Sequence, residues 1–163
     1  MNSDTVKHEL APVYDAGSRV LILGTMPSPK SRERGFYYMH PQNRFWKMLC
    51  AVLNQPVPDS IEGRRELCLA NKIALWDVLA SCEINGASDA SIKNGVPNRL
   101  DEVFSAADIR AVFTTGKTAY NLYRRFFPND NHEVILLPST SPANRTITEA
   151  EMLEKYRKIS EYL

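Results

Sequence analysis

The segment RVLILG (19–24) is an unbroken apolar run flanked by polar residues, the pattern of a strand buried on both faces. Beyond a polar loop, Phe45, Met48, Leu49, Val52 and Leu53 recur at helical spacing. That stripe predicts an amphipathic helix over 41–54, with Pro41 in the first turn, where a missing N–H costs nothing. After Pro56 and Pro58, Ser60–Asn71 reads as a second helix and IALWDVLA (73–80) as a second buried strand. SCEINGASDASIKNGVP (81–97) is long, polar and without periodicity, which predicts a loop of the length that is often functional. Residues 98–107 predict a helix, IRAVFTTG (109–116) a third strand, 117–127 a helix stopped by Pro128, and EVILLP (133–138) a fourth strand. STSPANRTI then leads into a last helix, where Thr148 and Glu151 have the spacing of a capping box.

Strand and helix alternate, so the expected fold is a three-layer α/β/α sandwich around a short, mostly parallel four-stranded sheet. No repeat or linker divides the chain, so residues 1–163 are expected to form a single domain. In such sheets the ligand crevice lies beyond the carboxyl ends of the strands. The expected walls are therefore 24–28, 76–81, 115–117 and 138–144.

Composition narrows this further. A chain of 163 residues, 44% apolar, suits one packed domain. The formal net charge of +1 supplies no broad cationic field for nucleic acid. Between 28 and 47, however, Lys30, Arg32, Arg34, Arg44 and Lys47 face a single acid, Glu33, a patch able to hold a few phosphates. The cysteines Cys50, Cys68 and Cys82 have no zinc or iron–sulfur spacing. Cys50 and Cys68 are expected as buried thiols in a reducing compartment. Without a signal-like start or an 18-residue apolar run, the protein is expected to be soluble and cytoplasmic.

Among motifs, TTGKT (114–118) resembles the end of a P-loop, but the leading glycine is replaced by Ala111, so Gly116 reads as a strand-to-helix turn. No GxSxG elbow is present. His8 and His132 are expected to be solvated, and only His40 is placed near a site. GTMPS (24–28) offers close backbone approach at Gly24 and a loop fixed by Pro27. PSTSPAN (138–144) is a rigid loop of small residues able to donate to phosphate oxygens. In GFYYMHPQNRFW, an aromatic can stack on a base. Asn43, read as a first-turn residue, points toward the crevice. Phe45 and Trp46 are expected in the core.

These segments together resemble the uracil-DNA glycosylase superfamily. GTMPS matches its first motif in place and form, PSTSPANR stands where its second motif would be, and FYYMHPQNRFWKML looks like the corresponding segment of mismatch-specific uracil-DNA glycosylases. LWDVLASCE and LPSTSPAN look most like the hypoxanthine-DNA (deoxyinosine) glycosylase branch. Met26 stands where better-known branches carry a water-positioning Asp or Asn, and Leu137 replaces a histidine that steadies the departing base. Three cysteines exclude the four-cysteine cluster of the iron–sulfur branches.

The resemblance implies that Asn43 is the catalytic residue. A carboxamide does not titrate, so it is no general base; it can orient water toward C1′ or donate to the departing base. Tyr38 matches the aromatic that stacks on the flipped base. Gly24, Thr25, Met26, His40, Trp76 and Asp77 would border the base pocket. Asp77 could accept an N–H of hypoxanthine or uracil, or be a buried structural carboxylate. Pro27, Ser28, Arg34, Arg44 and the loop residues Ser139, Thr140, Ser141, Pro142 and Asn144 would hold the DNA backbone and minor groove. The implied activity is monofunctional removal of deaminated bases, since no lysine matches a Schiff-base position. DNA is the implied partner, the protein is expected to act as a monomer, since excision requires no more, and no metal or cofactor is implied. A mismatch-specific uracil-DNA glycosylase and a catalytically silent nucleic-acid-binding module are the alternatives.

Overall fold

The computed structural model describes residues 4–163, so residues 1–3 of the expected 1–163 domain lie outside the described residues. Four parallel strands form the central sheet: β2 (Val20–Gly24), β3 (Ile73–Asp77), β6 (Ala111–Thr115) and β7 (Glu133–Leu137), in the order β3-β2-β6-β7. Every residue of β2, β3 and β6 is buried, which is why these segments read as unbroken apolar runs. β7 is an edge strand and keeps Glu133 and Leu136 exposed. Helix α3 (Ile61–Ala70) packs on β3, helix α4 (Asp101–Ala106) leads into β6, and α5 (Lys117–Phe126) packs on β6 and β7. Helices α2 (Phe45–Leu53) and α6 (Glu149–Tyr156) pack together with a closing 3-10 turn, Arg157–Tyr162. Phe113 of β6 meets Tyr162 of that turn edge-on. The three-layer α/β/α arrangement expected from the alternation is the one observed, and Thr148 and Glu151 close the capping box as their spacing predicts.

A second sheet was not foreseen. β1 (Asp4–Lys7), β4 (Leu79–Asn85) and β5 (Ser88–Pro97) form an antiparallel sheet in the order β1-β4-β5. The predicted loop 81–97 is therefore a hairpin, and the strand predicted over 73–80 is two strands. After Asp77 the chain leaves the central sheet: Val78 N–H donates to Gly24 O and Leu79 N–H to Thr25 O. Asn98 holds this crossing by donating to the carbonyls of Asp77 and Leu79. Three register shifts between β4 and β5 break the two-residue alternation that would have revealed the hairpin. Asn85-Gly86, with Gly86 at φ 61°, was the local turn signal.

The helix predicted from 41 starts later in the chain. It begins at Phe45, because the Asn43 side chain takes the Phe45 N–H (2.9 Å) while Asn43 N–H donates to His40 O. A side chain that bonds its own following backbone favours a turn over a helix. A short helix α1 (Pro29–Arg34), capped by Ser28 and ended by Gly35 at φ 80°, also fills part of the expected loop.

Candidate active site

The carboxyl ends of β2, β3, β6 and β7 open into a cavity of about 580 Å³, closed on its sides by residues 37–43 and by the β4–β5 hairpin. Asp77 ends β3 and is buried, and its Oδ2 lies 2.8 Å from His8 Nε2, with the two side chains 4% and 1% exposed. His8 follows β1, its backbone N–H donates to Ala80 O, and its ring tilts against Tyr37 at 5.9 Å. The expectation of a solvated His8 is thus overturned: the unpredicted sheet carries it under the cavity. Burial pushes the Asp77 carboxyl upward, while the hydrogen bond and charge of His8 pull it back. His132 is not simply solvated either, because it bonds Asp130 (2.6 Å) and stacks on Phe104.

Tyr38, at φ 56°, stacks on Phe45 with centroids 3.8 Å apart, and its hydroxyl meets Thr115 Oγ1 at 3.3 Å. One ring face is therefore taken, so a base can use only the other. Burial, followed by the field of Asp77, pushes its phenol well above the ordinary range and keeps it protonated. Gly24 leaves the space that these groups occupy. A Cβ there would stand 2.5 Å from Asp77 Oδ1 and 3.2 Å from the Tyr38 hydroxyl. Gly24→Ala should cost about 1–3 kcal/mol from overpacking, read as a lower urea midpoint with an unchanged slope.

Along one wall stand Thr25, Met26, Pro27 and Ser28, with Ser31 behind them. The opposing hairpin contributes Ile84, Ala87, Ser88 and Asp89, and Thr25 Oγ1 donates to Asp89 Oδ2 over 3.4 Å. Ser139, Thr140, Ser141, Pro142, Ala143 and Asn144 form the rim. This loop is internally braced, as Asn144 donates to Ser139 O (3.0 Å) and Ser141 N–H to Ser139 Oγ (3.2 Å).

Asn43 and His40 also line the cavity. The Asn43 carbonyl oxygen is committed to Phe45 N–H, which fixes the amide orientation and leaves its NH2 as the group available to a ligand. His40 Nδ1 accepts the Gln42 N–H (3.1 Å), so a neutral ring carries its proton on Nε2.

Three expected site residues are not in the cavity wall. Alternation along β3 turns Trp76 away from the side taken by Asp77. Trp76 is buried elsewhere, and its Nε1–H has no partner among the described residues. Arg34 is exposed at the end of α1. Arg44 is half-buried and donates to Asn144 O (2.7 Å) and Ile147 O (3.3 Å), so it ties the rim loop to α2 rather than standing free. The reading of the residues missed His8, Tyr37 and the hairpin residues, Asp89 above all. Among the described residues, no three His, Cys, Asp or Glu side chains gather as a metal site would need.

Residues 11–163 match the family model described as the uracil DNA glycosylase superfamily. A protein of Methanosarcina barkeri named hypoxanthine DNA glycosylase is 31% identical over 141 residues, covering 85% of this chain and 89% of its own. A protein of the same name from Methanosarcina acetivorans is 27% identical, covering 88% and 92%. The fold also superimposes with a TM-score of 0.80 on the solution structure of a candidate uracil DNA glycosylase from Methanosarcina acetivorans, 26% identical and covering 96% of this chain and 99% of that one.

Proposed function

The chain belongs to the uracil DNA glycosylase superfamily, and from that membership we propose that it is a monofunctional DNA glycosylase that hydrolyses the N-glycosidic bond of deaminated bases, hypoxanthine first, in base-excision repair. The observation that carries this reading is the match, over most of both chains, to relatives named hypoxanthine DNA glycosylase. The cavity supports it physically, since about 300–1,000 Å³ is the size class that encloses a small planar ligand. Excision requires the nucleotide to leave the stack, at a cost of a few kcal/mol that is least where pairing is already poor.

Within the cavity, Asp77 on the floor accepts the ring N–H that hypoxanthine presents beside its carbonyl, and His8 holds the carboxylate in place. Tyr38 contributes its uncovered ring face. Asn43 offers its NH2 to the charge that develops on the departing base. The bond breaks through a largely dissociative transition state, where placed donors supply much of the rate. The rim loop 139–144 supports the DNA backbone, with Arg44 bracing it from behind. The enzyme acts as a monomer, without metal or cofactor, in the cytoplasm. Its three cysteines are free and buried, as suits a reducing compartment. No helix among the described residues is long and apolar enough to cross a membrane.

A second reading rests on Asp77 as well: uracil N3–H would meet the same carboxylate, which fits a mismatch-specific uracil-DNA glycosylase. The deciding experiment is strand cleavage by alkali after incubation with duplexes carrying one deoxyinosine or one deoxyuridine. Cleavage at deoxyinosine is expected. Cleavage at deoxyuridine alone selects the second reading, and binding without cleavage of either makes the chain a silent module.

The two arginines separate in the same duplexes. Arg34 is exposed, so Arg34→Ala should weaken binding at all sequences and lower the log–log salt slope by about 1. Arg44→Ala should instead loosen the rim. An unchanged slope for Arg34→Ala would remove α1 from the DNA-binding face.

A further inference from the structure

Water that adds to C1′ must lose a proton, and the loop after β2 holds no side chain to take it: Thr25, Met26, Pro27 and Ser28 do not ionise. The ionisable side chains that line the cavity are Tyr37, Tyr38, His40, Asp77 and Asp89. Each can be weighed on its geometry. Both phenols are pushed upward by burial and stay protonated. His40 accepts the Gln42 N–H at Nδ1, so its neutral ring presents an Nε2–H donor and no lone pair to a water. Asp77 lies at the floor, buried and bonded to His8, and is already assigned to the ring N–H of the base.

Asp89 differs from all of these. It is carried on the β4–β5 hairpin, solvent-accessible at the cavity wall, and placed beside the Thr25–Met26 segment by the long Thr25 hydroxyl bond of 3.4 Å. That bond positions the carboxylate without neutralising it.

We propose that Asp89, reaching across from the antiparallel hairpin, is the catalytic residue that accepts the proton of the attacking water. The inference rests on the glycosylase reading. In the step, the bond from C1′ to the base nitrogen breaks and its electron pair leaves with the base, held by the Asn43 NH2. Water oxygen bonds to the electron-poor C1′ and its proton passes to Asp89. The products are the abasic sugar with a C1′ hydroxyl and the free base, which takes up a proton from solvent. Asn43 thus serves the leaving group and Asp89 the nucleophile, from opposite polypeptide segments.

The electrostatic surroundings suit the role. Burial raises the Asp89 carboxyl above its ordinary value, the Thr25 hydroxyl lowers it, and the charge of Asp77 raises it again. The other charged or titratable neighbours are His8 behind Asp77, and Cys82, itself within electrostatic reach of Arg32 and Asp89. A raised carboxyl is a stronger proton acceptor than an ordinary one.

The test is single-turnover release of hypoxanthine from a deoxyinosine duplex, measured against pH for wild type, Asp89→Asn, Asp89→Ala and Asp77→Asn, with a thermal melt of each. Wild type should lose rate on its acid side, with the midpoint above the ordinary carboxylate range. Asp89→Asn should be slower by about 10²-fold or more and lose that acid limb, while Asp77→Asn keeps it. Added formate should restore rate to Asp89→Ala, and added azide should yield the C1′-azido sugar, which requires a folded site that lacks only its proton acceptor. Wild-type rates in Asp89→Asn, or an acid limb that survives in it and vanishes in Asp77→Asn, would overturn the assignment of Asp89. An active wild type with no rescue of Asp89→Ala would do the same. No base release by wild type overturns the glycosylase reading, and the role of Asp89 falls with it.

Discussion

Replacing His8 with alanine should lower stability by about 3–5 kcal/mol. The reason is the partner left behind. Asp77 and His8 bury almost all of their side chains, and their 2.8 Å contact compensates the carboxylate for lost water. Alanine leaves that charge alone. Adding Asp77→Asn should therefore relieve much of the loss, so that the double variant is more stable than His8→Ala, a sign that simple loss of packing would not give. The pH dependence has a definite direction. Burial already raises the folded Asp77 carboxyl above its ordinary 3.8, and removing His8 deletes the two influences that lower it. A carboxyl raised on folding makes stability fall as pH rises from the unfolded value through the folded one. The deficit of His8→Ala should therefore be deepest at neutral and alkaline pH and smaller in acid, where Asp77 protonates. Urea midpoints across pH for the two single variants and the double measure it. A double variant no better than His8→Ala would show that the imidazole acts by packing alone.

The same pair marks what the sequence could and could not convey. The central sheet was legible because β2, β3 and β6 are buried at every position, and burial on both faces writes itself as an apolar run. The capping box of α6 and the cavity walls at the strand ends were legible for similarly local or topological reasons. The antiparallel sheet was hidden, since its register shifts erase the alternation and β5 is largely exposed. With it went His8 and Asp89, because each reaches the cavity only through that sheet. His8 and Asp77 are 69 positions apart, and nothing near a lone histidine in a polar N-terminal stretch announces a buried carboxylate. Trp76 failed for the opposite reason: adjacency in sequence suggested adjacency at the site, whereas neighbours on a strand face opposite ways.

Asn43→Asp should keep the fold and lose about 10²–10³-fold in the rate of base release. The two consequences come apart because, on the proposed mechanism, the two ends of the Asn43 amide do different work. Its oxygen accepts the Phe45 N–H at 2.9 Å and sets the turn before α2, and an aspartate oxygen accepts that bond equally well. Its NH2 is the end available to the substrate, and aspartate replaces this donor with a second acceptor, negatively charged, beside a base that departs carrying negative charge. Asn43→Ala removes both ends. It should lose comparable activity and in addition about 1 kcal/mol of stability from the lost bond to the Phe45 N–H. Asn43→Ser retains a short acceptor for the backbone, with a reach too small for the leaving base, and should resemble Asn43→Asp in stability. The comparison is made by single-turnover kinetics on a deoxyinosine duplex together with thermal melts. Were Asn43→Asp to equal wild type in rate, the side chain would be acting through its oxygen on the nucleophilic water, and the leaving base would need another donor. Activity lost only in step with stability would reduce Asn43 to the residue that starts α2.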